Sequence, residues 1–402
     1  MRSSWGSEVT DRTEQGLPAP DEDARAHSER VEAHIRQAIA DAGGALPFND
    51  YMAAALYAPG LGYYSAGQAR FGRGGDYITA PLVSELFART LAREIARILD
   101  GLGGGEILEV GAGTGHMAAD VLTELDRLDR LPERYRILEV SASLRAEQAE
   151  TLAERAGGLS EQVAWLDGLP DEPINGVILA NEVMDALPVK RFRMDGEQVR
   201  EIVVTDEGAL RLDLAAPDEG LADAVEAIQS EIGRSLGSGY TSEWSPSLAP
   251  WLGSLSDGLA RGVALLVDYG FPRPEYYHPQ RGAGTLVCHY RHHAHDDALR
   301  WPGLQDISAF VDFSLAAQAA EQSGLAIAGY NTQAHFLMGA GLPQLLDEVA
   351  ASDSTRAVEL TQQSKQLMLP GEMGERFKVL AATRDYHGEL AGFSQFDHRH
   401  RL

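Results

Sequence analysis

Hydrophobic positions recur at helical or strand spacing along most of the chain. Val31, Ile35 and Ile39 predict a helix over 29–42, and SELFARTLAREIARIL predicts an amphipathic helix over 84–99. Short apolar runs then alternate with helices. The predicted strands are EILEV, RYRILEVS, QVAWLD, NGVILAN and GVALLVDYG, and the predicted helices are HMAADVLTELDRL and SLRAEQAETLAERA. This succession predicts an α/β fold around a doubly wound, mostly parallel sheet.

Other segments depart from this alternation. Residues 1–28 lack periodicity, which predicts a flexible acidic tail. The stretch PFNDYMAAALYAPGLGYYSAGQARFGRGGDYITAP is rich in Gly, Tyr and Phe. A loop of this kind either binds something or is disordered, and its aromatic content argues against disorder. LPVKRFRMDGEQVREIVVTDEGALRLDL predicts hairpin strands, with turns at DG and DEG.

Composition narrows the class of protein. The 402 residues are 44% hydrophobic, enough for one large core or two moderate ones. No apolar run approaches the roughly 18 residues of a membrane span, and the polar N-terminus has no secretory signal. A single cysteine, Cys288, excludes an internal disulfide framework and fits a reducing compartment. These features predict a soluble, cytoplasmic protein with no membrane partner.

Charge bears on the choice of partners. The formal net charge is −26, and lysine occurs at only three positions. Such a surface repels phosphate backbones, so we expect no nucleic acid partner. It could attract a basic protein segment, or it could be a solvated acidic surface with no binding role.

The run ILEVGAGTG predicts a cofactor turn after the first strand of the alternating region. A dinucleotide fingerprint needs a small residue where His116 stands. Here glycines occupy Gly111, Gly113 and Gly115 and an acid, Glu109, lies inside the strand, a pattern typical of S-adenosylmethionine (SAM) methyltransferases. Glycines let the backbone approach the methionine part of SAM, and the following helix N-terminus can receive its carboxylate. Two alternatives to SAM binding are that the turn binds another nucleotide or that its role is purely structural.

The next two strands also end at candidate cofactor ligands. Glu139 ends the second strand, where a carboxylate can accept both ribose hydroxyls of an adenosine, and Ser141 follows it. Glu139 alone does not discriminate, because NAD proteins place an acid there too. Asp167 ends the third strand, where an acid can face the adenine amino group. A surface glutamate and a turn-forming aspartate are the alternatives for these two acids.

The fourth strand ends in ANEVMDALPVKRF. The carboxyl ends of parallel strands border the ligand, so Asn181, Glu182 and Asp185 should lie at the methyl donor. Paired carboxylates suit a cationic acceptor such as guanidinium, which they would hold and orient. We therefore expect Glu182 and Asp185 to be catalytic and Asn181 to contact the cofactor. Simple caps of a helix and a strand are the alternatives for Asp185 and Asn181.

These motifs resemble the MidA-like family of class I SAM-dependent methyltransferases. That family includes a mitochondrial arginine methyltransferase that assists assembly of respiratory complex I. The resemblance runs from about Leu46 to Thr383. Its landmarks are FNDYMAAALYAPGLGYY, GGDYITAPLVSELF, LEVGAGTG, LEVSASLRAEQ, ANEVMDALPVKRF, LLVDYG, GLQDISAFVDF, TQAHFL and GEMGERFKVL.

We expect a Rossmann-like methyltransferase core over 84–345. It is interrupted at about 215–260 by a segment with helical periodicity and an aromatic, Ser/Gly-rich loop, which should form a lobe over the acceptor site. Residues 29–83 would cover the active site, and 346–402 would supply a helix, the final strand and a tail. The resemblance alone implies that Asp76, Thr79 and Pro81 lie near the cofactor.

Two groups of side chains in the later part of the chain have more than one candidate role. Tyr240, Trp244 and Trp251 would either wall the acceptor cleft or be core residues. The run from His289 to His295 contains four histidines, but no HExxH or CxxC spacing occurs. We therefore expect a histidine-rich loop over the substrate cleft and no metal.

The favoured function is SAM-dependent methyl transfer to an arginine nitrogen of a protein acceptor. A methyltransferase for a small molecule is one alternative, and a non-catalytic assembly factor that keeps the SAM fold is another. The intact glycine turn and paired acids argue against the second. A wide, acidic lid favours a macromolecular acceptor over a small one. His116 argues against an NAD oxidoreductase, and a homodimer is an open alternative to a monomer.

Overall fold

The computed structural model describes residues 17–67 and 79–402. The chain forms two compact units. The first contains the described residues from 17 to 67 together with Ala186–Ser247 and Arg273–Phe310. The second contains the described residues from 79 to 185 together with Leu248–Pro272 and Val311–Leu402.

Strands and helices occur throughout the described residues. In chain order the strands are β1 (Ala45–Pro47), β2 (Glu106–Val110), β3 (Arg134–Leu138), β4 (Val163–Leu166), β5 (Ile174–Asn181), β6 (Lys190–Asp195), β7 (Gln198–Asp206), β8 (Leu210–Ala215), β9 (Thr241–Trp244), β10 (Leu259–Phe271), β11 (Val287–Tyr290), β12 (His293–His295), β13 (Asp306–Ser308), β14 (Val311–Asp312), β15 (Ala326–Thr332) and β16 (Phe377–Arg384). The helices are α1 (Glu22–Asp41), α2 (Phe48–Tyr57), α3 (Ala80–Val83), α4 (Glu85–Leu102), α5 (His116–Arg127), α6 (Ala142–Ala156), α7 (Glu219–Glu231), α8 (Leu248–Asp257), α9 (Arg273–Tyr276), α10 (Phe313–Gln322), α11 (Gln333–Ala340), α12 (Leu342–Ser352), α13 (Ser354–Met368), α14 (Met373–Arg376) and α15 (Ala391–Ser394).

The second unit is built on one large sheet, with strand order β15-β16-β10-β5-β2-β3-β4 and β14 beside β10. The strands from β10 to β4 are parallel, and β16 runs antiparallel between β10 and β15. The predicted α/β fold with a mostly parallel sheet is confirmed. From β2 the chain continues to β3 and β4 on one side, and β5 and β10 lie on the other. Ligands of open parallel sheets bind at the carboxyl ends of strands at such a switch in direction.

Local sequence explains where α4 lies. Ser84 caps its first turn by accepting the N–H of Leu86 at 3.3 Å, and Gly103, with a φ of 82°, ends it in the left-handed conformation. Its apolar side chains, Leu91 and Ile95 among them, are buried in the main core of the second unit. This helix, predicted over 84–99, is therefore amphipathic as expected.

The described residues of the first unit form two antiparallel sheets. One has the order β1-β7-β6-β9 with β8 beside β7, and the other has the order β12-β11-β13. The hairpins predicted from the DG and DEG turns are confirmed as β6–β7 and β7–β8. A separate core contains Val31 and Ile35 of α1 with Phe48 and Met52 of α2.

The predicted boundary of the tail at residue 28 is wrong, because α1 begins at Glu22. Asp21 caps this helix by accepting the N–H of Ala24 at 2.9 Å. His27 and Ser28 are buried, and Ser28 donates its hydroxyl to the Pro302 carbonyl at 3.0 Å. The capping aspartate and these tertiary contacts extend the helix beyond the periodic apolar residues.

The division into units also differs from the predicted insertion at 215–260. The first unit takes in the chain from Ala186 to Ser247, while α8 belongs to the second unit. The reason is strand pairing, since β7 pairs with β6, with β8 and with β1. None of the helices in the described residues is both long enough and apolar enough to cross a membrane.

Candidate active site

Three glycines form the turn between β2 and α5. Gly111, Gly113 and Gly115 have φ angles of 66°, 54° and 83°, in the left-handed region that favours glycine. A Cβ at Gly115 would lie 3.1 Å from the Cα of Gln148, so the turn packs tightly there. Among the described residues, no atom would lie within 4 Å of a Cβ at Gly113. Gly113 is therefore a position where a ligand can approach the backbone.

The N-terminus of α5 follows this turn. Its first turn contains no acidic residue, and no side chain caps it at Gly115. The partial positive charge of the helix end is thus available to an anionic group. His116 Nδ1 lies 2.8 Å from Thr114 Oγ1, and burial lowers the pKa of the His116 ring, which favours its neutral form.

Glu109 is fully buried in β2. Its Oε2 accepts a hydrogen bond from the Tyr135 hydroxyl at 2.5 Å, whereas its Oε1 has no hydrogen-bond partner within residues 17–67 and 79–402. Burial raises the pKa of Glu109 to about 7, although the Tyr135 bond opposes the shift. Glu109 thus joins β2 to β3 inside the core, and its contact with a cofactor stays a prediction.

Glu139 follows β3 and is only 7% exposed. Its Oε1 accepts the Ser141 N–H at 2.9 Å, and its Oε2 accepts from Gln148 Nε2 at 3.2 Å. Burial raises the pKa of Glu139, and these hydrogen bonds oppose that shift. The Ser141 hydroxyl caps α6 by accepting the N–H of Leu144 at 3.5 Å. Ser141 therefore supports both the helix and the acid predicted to hold the ribose.

Asp167 lies at the end of β4 with its side chain 92% exposed. Its Oδ1 accepts a hydrogen bond from Arg145 Nη2 at 2.5 Å. Arg145 also donates to the carbonyls of Glu139 at 2.5 Å and of Leu166 at 2.8 Å. Arg145 thereby joins the ends of β3 and β4 and holds the Asp167 carboxylate beside them.

Glu182 follows β5 with a φ of 56°, which is uncommon for a residue with a side chain. Its Oε1 accepts from Asn181 Nδ2 at 3.1 Å and from the N–H of Ala80 at 3.3 Å. Ala80 begins α3, directly between Thr79 and Pro81. The structure therefore brings these two predicted residues close to Glu182, while Asp76 lies outside the described residues.

Asp185 is 7% exposed, and residues of β10 form hydrogen bonds with its backbone and its side chain. Asp268 Oδ2 accepts the N–H groups of Met184 at 2.9 Å and of Asp185 at 3.2 Å. The Tyr269 hydroxyl donates to the Asp185 carboxylate. Burial raises the pKa of Asp268 well above its ordinary value, and the charges of Asp185 and Glu182 raise it further. Three carboxyl groups are therefore close together at the carboxyl ends of β5 and β10.

Sequence reasoning missed four residues of this arrangement. Asp268 offered a signal, because an acid at the end of the apolar run GVALLVD needs a partner when it is buried. Gln148 and Tyr269 lie in the landmarks LEVSASLRAEQ and LLVDYG, and Tyr135 lies in a predicted strand, but the spacing of these motifs does not predict the contacts of the three side chains.

Known proteins of similar sequence and structure are methyltransferases, which agrees with the site described above. Residues 90–331 match a family described as S-adenosyl-L-methionine-dependent methyltransferases. The crystal structure of a Burkholderia thailandensis protein bound to S-adenosyl-homocysteine has a TM-score of 0.91 and 42% identity, and the alignment covers 96% of this chain and 100% of that chain. The chain belongs to this methyltransferase family.

Curated relatives of this methyltransferase support the same assignment. The mitochondrial protein arginine methyltransferase NDUFAF7 of Mus musculus is 30% identical, over 88% of this chain and 84% of that protein. The mitochondrial homolog of Caenorhabditis elegans is 28% identical, over 90% of each chain. The resemblance to MidA-like methyltransferases is confirmed.

The cofactor of this methyltransferase is SAM, since the protein from Burkholderia thailandensis binds the demethylated product of SAM. The residues present fit such a molecule. The backbone is approachable at Gly113, the N-terminus of α5 carries no acidic residue, and Glu139 is a fixed acceptor.

One expectation about the methyltransferase is wrong. The mouse and nematode relatives are mitochondrial proteins, which contradicts the cytoplasmic location expected from composition. The lack of a disulfide framework does not discriminate between these compartments.

The histidine-rich run lies in β11, β12 and the turn between them. His289 Nδ1 is 3.7 Å from Asp306 Oδ2, and burial lowers the pKa of His295. Across 17–67 and 79–402, no group of three or more His, Cys, Asp or Glu side chains is arranged to hold a metal ion.

Proposed function

We propose that this methyltransferase transfers a methyl group from SAM to an arginine nitrogen of a protein. The mouse and nematode relatives are named protein arginine methyltransferases. In this chain the proposal is carried by one observation, the pair of carboxylates Glu182 and Asp185 in the loop after β5, each held by neighbouring groups. Two carboxylates can hold a guanidinium through charge-assisted hydrogen bonds with defined geometry.

We assign the cofactor site to the carboxyl ends of β2, β3 and β4. The turn at Gly113 would lie along the methionine part of SAM, and the N-terminus of α5 would receive its carboxylate. Glu139 would accept the ribose hydroxyls, and Asp167 would face the adenine amino group. Asn181, Thr79 and Pro81 would complete the side nearest to Glu182.

When bound, SAM supplies an electrophilic methyl group on a sulfonium. Glu182 and Asp185 have the task of holding the acceptor guanidinium so that one nitrogen approaches in line. A nitrogen that accepts the methyl group must release a proton, and one of the two carboxylates would accept that proton. Asn181 restrains the Glu182 carboxylate and Tyr269 restrains that of Asp185, which lowers the cost of ordering them for the acceptor.

Methyl transfer to protein arginine can be tested with SAM that carries a deuterated methyl group. The purified protein is incubated with labelled SAM and a cell extract, and digested proteins are analysed by mass spectrometry. We expect deuterated methylarginine with the wild type and with Glu154→Gln, a control at an exposed position on α6. The label should be lost or strongly reduced with Glu182→Gln.

Other outcomes would favour the alternative functions. Label confined to a low-molecular-mass compound would identify a small-molecule methyltransferase. Label on another type of side chain would keep the enzyme class and reject arginine. SAM binding without any transfer would favour an assembly factor that has kept the fold.

A further inference from the structure

Gln148 connects three strand ends of the second unit. Its side chain is on α6 and is fully buried. Nε2 donates to the Gly113 carbonyl at 2.9 Å and to Glu139 Oε2 at 3.2 Å, and Oε1 accepts from Trp165 Nε1 at 2.9 Å. One amide therefore joins the glycine turn after β2, the acid after β3, and β4.

The orientation of this amide follows from Trp165. An indole N–H can only donate, so the atom that faces Trp165 must be the amide oxygen. The NH₂ group then faces the Gly113 carbonyl and the Glu139 carboxylate, which both need a donor. Exchanging the amide nitrogen and oxygen would leave all three hydrogen bonds unmade, and unmade bonds are costly for buried groups.

The backbone of Gln148 also contacts the turn. A Cβ at Gly115 would lie 3.1 Å from the Gln148 Cα and 3.2 Å from its carbonyl oxygen. Helix α6 thus packs against the turn at the same residue whose side chain binds Gly113 and Glu139. A displacement of Gln148 would therefore alter its contacts with the turn and with the acid at the same time.

We propose that Gln148 is a positioning residue for SAM, which sets the separation between the backbone at Gly113 and the carboxylate of Glu139. The inference rests on the proposed cofactor roles of those two residues. SAM would contact the turn and the acid at the same time, so its affinity depends on that separation. Trp165 assists by fixing which end of the amide faces the acid.

The first test is SAM affinity measured by titration calorimetry. Gln148→Met keeps an unbranched side chain of similar length and removes both amide donors. We expect SAM affinity to fall about tenfold or more, the loss typical of a hydrogen bond to a charged group. Glu139→Gln should lose a similar factor, and the double variant should lose less than the product of the two factors, because both remove the same interaction. Glu154→Gln on the exposed face of α6 is the control and should bind as the wild type does.

A second variant tests the donor itself. Gln148→Glu keeps the shape but directs a carboxyl group at Glu139, so the two groups repel each other when both are ionised. Lowering the pH protonates one of them and restores a donor. The SAM affinity of Gln148→Glu relative to the wild type should therefore rise as the pH is lowered. A purely structural contact predicts a ratio that does not change with pH.

The outcomes separate the inference from the function on which it rests. If Glu139→Gln binds SAM as tightly as the wild type, the assigned cofactor site fails. If Glu139→Gln weakens binding and Gln148→Met does not, the positioning role of Gln148 is overturned. Should Gln148→Met fail to fold, the pH dependence of Gln148→Glu decides, and a constant ratio overturns the proposal.

Discussion

Asp268 Oδ2 accepts a hydrogen bond from the backbone N–H of Asp185 at 3.2 Å. The same oxygen accepts the N–H of Met184 at 2.9 Å, and the neighbouring Tyr269 donates its hydroxyl to the Asp185 carboxylate. The end of β10 thus fixes both the backbone and a side chain of the loop that carries the proposed catalytic acids. The geometry of the acceptor site should depend on a residue that need not touch the acceptor.

The first prediction concerns Asp268→Asn. An amide keeps the shape but has a single acceptor oxygen, so it cannot keep the bonds that both Asp268 oxygens make to the N–H groups of Met184, Asp185 and Tyr269. We expect turnover to fall about tenfold, which is about 1.4 kcal/mol, while SAM affinity changes less than about threefold. Initial-rate kinetics and calorimetry measure both. Asp257→Asn, at an exposed position in the same unit, is the control. Lost SAM affinity with intact turnover would contradict the prediction.

The second prediction separates acceptor chemistry from cofactor binding. Glu182→Gln removes the charge that pairs with a guanidinium but keeps the side-chain shape. We expect turnover to fall by about 10- to 150-fold, the range for a charge-assisted pair worth about 1.5 to 3 kcal/mol. SAM affinity should change less than about threefold. Asp185→Asn should behave alike, and the double variant should lose less than the sum of the two effects. If Glu182→Gln loses SAM binding instead, Glu182 belongs to the cofactor site.

The order of elements from α4 to β5 could be predicted, because strand segments with apolar residues alternate there with stretches of helical periodicity. The turn at Gly111, Gly113 and Gly115 could also be located, since its function requires a local spacing. The contact between Asp268 and Asp185 could not be predicted from the sequence. Those residues are 83 positions apart in sequence, and the parallel pairing of β5 with β10, which aligns Asn181 with Val267, brings them together.

The hydrogen-bond partner of Glu109 also could not be predicted, because strand pairing brings the two residues together. Tyr135 faces it only because β2 and β3 pair in parallel with Ile107 opposite Tyr135. Sequence periodicity identifies such strands but not their register. The two-unit division was missed because strand pairing decides it, and a pattern of hydrophobic residues does not show which sheet a hairpin joins.

The third prediction concerns Gly113→Val. The side chain would enter the open space beside the turn, where the methionine part of SAM is assigned. SAM affinity should fall at least about tenfold, or about 1.4 kcal/mol. Gly157→Val is a matched control, since Gly157 has the same φ of 54° and an added Cβ there would also have no atom of residues 17–67 or 79–402 within 4 Å. Both variants should lose similar stability from backbone strain. Equal SAM affinity in the two would show that the turn does not face the cofactor.

The fourth prediction is a pH dependence of stability that arises from Glu109. Burial raises its pKa from 4.5 to about 7 in the folded protein. The protonated acid therefore contributes stability that is fully present below pH 4.5 and is lost as the pH rises through about 7. The Gln side chain in Glu109→Gln does not titrate. The free energy of unfolding of this variant minus that of the wild type should therefore increase by about 2 to 3 kcal/mol as the pH rises from about 5 to about 8. Denaturant unfolding without cofactor measures the difference, and Glu154→Gln is an exposed control.

Tyr135→Phe sharpens this last prediction, because the Tyr135 hydroxyl is the donor that holds the pKa of Glu109 down. Removing it should raise that pKa further, so the loss of stability continues to higher pH than in the wild type. The cost of Tyr135→Phe should therefore grow between about pH 5 and about pH 8. In the Glu109→Gln background the same substitution should cost an amount that does not vary with pH. A pH-dependent cost in that background would assign the titration to a group other than Glu109.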